Sequence, residues 1–276
     1  FVNVYEKINT LMREKQTENF LYLIVNNDLR FTLQPAPILA AISYGDSPNV
    51  IDEKIKPVSK YLTKVLIWKI WGLSRIAQSV MDAPIYDLCK RIRGKTVEEL
   101  KEIFKQDPIA IPNLDGTPIL STQNKNSIKV VLALLAAIVA RESGINEYIL
   151  NAKRGIEIEH IWANHFEQHT DDCKDETDFA AVRNNIGDLL LLPKSFNASY
   201  GDATYAIKVE QYFSQNILAQ SLNKKKYVNN PQFLKFKQQS NLPFKSYEEF
   251  KRSSIIERAE LYKEILLWNW NINETN

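Results

Sequence analysis

The residues of this 276-residue chain best suited to chemistry stand between Gly155 and Lys208. All three histidines fall there, at positions 160, 165 and 169. Glu159 and His160 close a short β-branched and acidic run that starts at Ile156. Asp188 precedes four leucines, Leu189 to Leu192, which Pro193 ends, and Asn197 follows. An unperturbed imidazole titrates near ~6.5, so His160 would be mostly neutral at cellular pH and able to take a proton from water. The carboxylate of Glu159 and the amide oxygen of Asn197 are hard donors. They suit Mg²⁺ (or Mn²⁺), a cation that keeps several waters and needs few protein ligands. A base, a cation beside the developing charge and help for the leaving oxygen are what phosphodiester hydrolysis requires.

Those side chains need particular elements to hold them. In a regular strand Glu159 and His160 point to opposite faces, so both can serve one phosphate only where the strand ends. The β-branched run predicts a strand ending on that pair, and the leucine run predicts a second strand. A helix carrying Asn197 would follow. Strand, loop, strand, helix is the layout of a ββα-metal (HNH) nuclease element. Asn184 and Asn185, just before Gly187, read as turn formers. A competing arrangement uses His165, His169 and Cys173, spaced four apart as on one helix face, to hold zinc. Thr170-Asp171-Asp172 argues against an unbroken helix there.

Around this stretch the chain reads as helix. It has only 8 glycines, and its abundance of Leu, Ile, Lys and Glu favours helix over a turn-rich β fold. Helical spacing is expected from the N-terminus to a break at Asn26-Asn27-Asp28, then in a short segment after Pro35 and Pro37. One long pattern runs from Ile51 to about Arg93, with Pro57 near its start or kinking it. Thr96 and Glu99 have the form of a capping box before Leu100. Residues 107–126 look like loop. Ser127 to Glu142 carries an 11-residue apolar run between Lys129 and Arg141, too short for a bilayer and suited to a buried core helix. Amphipathic helix is expected from Asp202 to Leu222, and another from Ser246 to Trp270. The fold class is therefore mainly α: a helical bundle and linker region over 1–145, then a helical domain over 146–276 containing the small ββα-metal element. A start at Phe1, already inside a helical pattern, suggests a fragment of a longer protein.

A net charge of +2 alone argues for neither nucleic acid nor membrane, and no secretory signal is present. Two cysteines offer no disulfide framework and fit a reducing, cytoplasmic setting. Locally the balance differs. Residues 189–247 hold eight lysines against two acids, with aromatics interleaved. Lys194, Lys208, Lys224, Lys225 and Lys226 are the candidates for contact with a nucleic-acid backbone.

Glu159-His160-Ile161, then Ile186-Gly187-Asp188-Leu189 with Leu191-Leu192, then Asn197 and Lys208, resembles the HNH-type C-terminal domain of GmrSD-like restriction proteins. These are modification-dependent bacterial antiphage nucleases. The step from position 188 to Asn197 is also similar to HNH domains of RNA-guided nucleases. The resemblance implies His160 as general base, Asn197 and Asp188 as further catalytic residues, Glu159 and Asn197 as metal ligands and Lys208 as a supporting basic residue. Position 188 is usually Asn in that family and is Asp here, while 163, often Pro, is Ala. An ionised Asp188 would bring negative charge near His160 and raise its pKa. No Asp-Gly-Gln-Gln-Arg run marks the sensor that family members often carry, so a sensor or nucleotidase would lie outside this chain or on a partner subunit. The implied function is metal-dependent cleavage or nicking of DNA as the effector of an antiphage restriction system, without a membrane. The alternative is a DNA-binding or assembly module with a degenerate HNH site. A third, weaker reading is a purely structural helical domain.

Overall fold

A computed structural model describes residues 1–74, 76–106, 116–152 and 155–271. The protein is mainly helical, with thirteen α-helices and one two-stranded sheet among the described residues. It divides into two compact units, residues 1–116 and 117–276. The core helix at 125–142, which the sequence groups with the N-terminal region, therefore belongs to the C-terminal unit.

The N-terminal unit contains α1 (Val2–Glu14), α2 (Thr17–Asp28), α3 (Pro35–Ala41), α4 (Pro48–Trp71), α5 (Gln78–Ile92) and α6 (Val97–Gln106). The first helical stretch is two helices, because Lys15 takes the left-handed conformation at φ 51°. Asn26 does not break α2. It turns inward, donating to the Ser59 carbonyl and accepting from Thr63, which lets a fully buried amide bind α2 to α4. The long pattern after Ile51 also divides. Ser47 caps α4 and Pro48 opens it, Pro57 lies inside it, and the chain turns at Gly72 and Leu73, the latter at φ 57°. Thr96 and Glu99 form the expected reciprocal bonds ahead of α6. Residues 107–115 of the loop expected over 107–126 lie outside the described residues, and the described remainder is non-helical up to the start of the next helix at Lys125.

In the C-terminal unit, α7 (Lys125–Glu142) is the central rod, buried from Val130 to Ala140. Strand β1 (Ile156–His160) pairs antiparallel with β2 (Leu189–Pro193), so that Glu159 faces Leu190 and His160 faces Leu189 in register. Between them lies α8 (Glu176–Arg183), capped by Asp175. The four leucines of β2 are buried on both faces of the strand. Side chains of that kind contribute roughly 1.5–3 kcal/mol each. Next come α9 (Lys194–Tyr200), which packs on both strands, α10 (Tyr205–Tyr212), α11 (Ile217–Gln220), α12 (Pro231–Ser240) and α13 (Arg252–Asn269). The helix expected across 202–222 is thus two, because Asn216 turns its side chain to cap α11.

Helix α13 lies against the single 3-10 turn of Ile186–Asp188 that leads into β2. A Cβ on Gly187 would run into the Ile255 carbonyl, so this approach admits only glycine. Tyr262 donates to the Leu189 carbonyl at 3.1 Å, and the buried Arg258 donates to the Tyr262 oxygen at 2.6 Å. The start of β2 is thereby fixed from behind, and with it Asp188 and the strand partner of His160.

Candidate active site

The two strands and α9 have the strand–loop–strand–helix layout, and the sequence-predicted residues fall on it as follows. His160 is the last residue of β1, half-buried, with Nε2 3.2 Å from Oδ1 of Asn184. Burial above all, with the positive charge of Arg183 nearby, pushes its imidazole down to about 4. The ring is therefore neutral at cellular pH. The sequence expectation that Asp188 would raise this pKa is overturned, because the shift is downward and Asp188 is not among its causes. Asp188 is fully buried, and burial pushes its carboxyl well above the ordinary carboxylate range. One of its oxygens accepts from the Trp162 N–H at 3.1 Å, and the other is buried without a partner.

Glu159 points the other way, as strand alternation requires. Only 3% exposed, it meets Lys208 of α10 at 2.7 Å and the Tyr212 hydroxyl at 3.4 Å. Burial raises its carboxyl and the ammonium of Lys208 pulls it back. Lys208 also donates to the His160 carbonyl at 2.9 Å, so one ammonium holds the end of β1 from two sides. This corrects the expectation that Lys208 contacts DNA, since it has no exposed surface. Lys226 is likewise buried. It donates to Gln220 and sits over the Phe233 ring, which removes it from the candidate phosphate contacts. Lys194, Lys224 and Lys225 remain exposed, the last paired with Glu210.

Asn197 lies inside α9 rather than at its first residue. Its Nδ2 donates to the Ile158 carbonyl at 3.3 Å, which ties α9 to β1. Its Oδ1 is buried and has no partner. A buried amide oxygen left unpaired costs free energy unless a ligand completes it.

The alternative zinc set does not assemble. His169 stacks on Trp162 at 3.8 Å between ring centroids, His165 faces Glu167, and Cys173 is a free, buried cysteine. Among the described residues, no group of three or more His, Cys, Asp and Glu side chains converges as for a metal ion.

Two residues of the site escape a reading of the sequence. Arg183, at the end of α8, donates through Nε to the Trp162 carbonyl at 3.1 Å. Its charge acts on Glu159, His160 and Asp188. Asn184 follows it and faces His160, whereas Asn185 does form a turn, its side chain accepting from the Gly187 N–H at 2.9 Å. Neither role has a local signal. Both depend on contacts between the C-terminal end of α8 and the end of β1 or the residues just after it, more than twenty residues apart in sequence.

A neutral, half-buried imidazole near a guanidinium can take a proton from water, and the comparison with known proteins gives the class as a nuclease. The family model described as GmrSD restriction endonucleases, C-terminal domain, matches residues 105–265. More than half of the chain is covered, so the chain belongs to this family. Its function is accordingly of the restriction-endonuclease type, with DNA as the implied substrate. No curated protein and no solved structure matches the chain. No helix among the described residues is long and apolar enough to cross a membrane.

Proposed function

We propose that this domain is an HNH-type endonuclease or nickase that depends on Mg²⁺ or Mn²⁺, the effector of a bacterial antiphage restriction system. The observation that carries the reading is the neutral His160 at the end of β1, in the strand–loop–strand–helix element that also bears Asn197. His160 takes the proton of the attacking water. Lys208 holds the carbonyl of His160 and the carboxylate of Glu159 and so fixes the end of the strand. Arg183 supplies positive charge near His160, where it would favour an anionic phosphate.

The residues fit a hard cation. The Oδ1 of Asn197 is a buried oxygen awaiting a partner, and Glu159 uses only one oxygen, Oε1, in its hydrogen bonds to Lys208 and Tyr212. Glu159 and Asn197 would hold Mg²⁺, which supplies positive charge beside the scissile phosphate when bound. The test is nicking of supercoiled plasmid with chelator, with Mg²⁺ and with Mn²⁺. Activity that persists at full rate in chelator contradicts the proposal.

A second reading, a DNA-binding or assembly module with a degenerate site, draws on one observation. The Glu159 carboxylate is already matched by Lys208 inside the protein, which lowers its call for a cation. Salt-sensitive DNA binding with no turnover under any divalent metal would select that reading.

A further inference from the structure

We infer that Asn184 is a positioning residue that fixes which nitrogen of His160 carries the proton, leaving Nδ1 as the basic atom. The inference rests on the reading of His160 as the base. Two hydrogen bonds of Asn184 make the argument. Its Nδ2 donates to the Ala180 carbonyl at 2.8 Å, one turn back in α8. Its Oδ1 lies 3.2 Å from Nε2 of His160. The amide cannot be turned over. A reversed amide would set its oxygen 2.8 Å from a carbonyl oxygen with no hydrogen between them. An amide oxygen only accepts, so the partner nitrogen must donate. In a neutral imidazole the proton then sits on Nε2, and the lone pair sits on Nδ1. Nδ1 has no hydrogen bond among the described residues.

The backbone of Asn184 is as firmly held as its side chain. Its N–H donates to the Ala180 carbonyl at 3.1 Å, and its carbonyl accepts from Leu120 N–H at 2.7 Å. Ile119 bridges to the next residue, Asn185. The acceptor is therefore fixed before substrate arrives, and the ring is oriented without the carboxylate that commonly serves this purpose. An amide orients the ring without adding charge beside a phosphate. A carboxylate in its place would repel the substrate.

The experiment reads the ring directly. The whole chain is labelled with ¹⁵N, and two-bond correlations of the imidazole nitrogens are recorded at neutral pH. His160 is assigned by the signals lost in His160→Gln, which is practical with three histidines in the chain. The expected spectrum shows pyrrole-type Nε2 with a hydrogen-bonded, slowly exchanging proton and pyridine-type Nδ1. In Asn184→Leu that proton should lose its downfield shift and exchange rapidly. Plasmid nicking should fall about tenfold, the value of one net hydrogen bond. Asn184→Ala serves if the leucine variant does not fold. A proton on Nδ1 in the wild-type protein would overturn the proposal, as would an unchanged Nε2 proton in a folded variant. Absence of cleavage by every protein, wild type included, would count against the nuclease reading alone, because the ring spectrum still decides the role of Asn184.

Discussion

Replacing Lys208 by Met removes the ammonium that holds Glu159 and the His160 carbonyl, and the structure sets the size of the effect. At 2.7 Å and an effective dielectric of about 20, the gross attraction between the two charges is about 6 kcal/mol. The variant does not lose all of it, because the stranded carboxyl can take up a proton. From the ordinary value of 4.5, neutralising it near pH 7 costs about 3.4 kcal/mol, at about 1.36 kcal/mol per pH unit. Near pH 5 the same step costs only about 0.7 kcal/mol. The hydrogen bond to the His160 carbonyl adds about 1 kcal/mol at either pH. The sign follows from linkage. With Lys208 gone, the folded pKa of Glu159 lies further above its unfolded value, so the fold is favoured below about 4.5 and loses stability as pH rises. Lys208→Met should therefore destabilise the protein by about 3–5 kcal/mol near neutrality and by less than about 2 kcal/mol near pH 5. The melting temperature should drop by roughly 6–20 °C at neutral pH. Adding Glu159→Gln should restore most of the pH-dependent part. Denaturant melts of the wild type, the two single variants and the double variant at both pH values measure it. A loss under about 1 kcal/mol near pH 7, or one that does not change with pH, would refute the view that this pair is buried and charged.

Three further outcomes follow from the site. Asp188→Asn should stabilise the protein at neutral pH, since a carboxyl held above its unfolded value of 3.8 weakens the fold as pH rises past that value. The gain should fade in melts approaching pH 3.8, and a loss of stability at neutral pH would mean that Asp188 is ionised and paired. His160, held neutral down to about 4, should make the fold lose stability as pH falls from 6.5 towards 4, because the unfolded chain takes the proton first. His160→Gln should flatten that part of the stability curve. If Lys224 and Lys225 contact phosphate, removing both charges should reduce the log–log salt slope of DNA binding by about 1.8, at about 0.9 per contact, whereas Lys226→Met should leave it unchanged.

The elements that carry Glu159, His160 and Asn197 were legible because their signals are local. A β-branched run, a leucine run ended by Pro193 and a short polar helix sit within a few residues of the groups they position. The same holds for the capping box at Thr96 and the apolar helix α7. What the sequence hid is tertiary. Helix α8 follows a long polar stretch, and nothing in residue order shows that Arg183 and Asn184 at its end meet the end of β1. Lys208 and Lys226 counted as surface charge because their partners, Glu159 and the Phe233 ring, come close only in the fold. Asp188 was read as a charged group because its burial, which pushes the carboxyl up, cannot be seen in residue order.

The most direct test of the account is nicking of supercoiled plasmid at neutral pH by the wild-type chain and by His160→Ala, each with Mg²⁺ and with excess chelator. The wild-type chain should nick only with the metal present. His160→Ala should be slower by roughly 10²–10⁴, with its melting curve and DNA affinity little changed. Near-native turnover by a folded His160→Ala protein would contradict the assignment of His160 as the base.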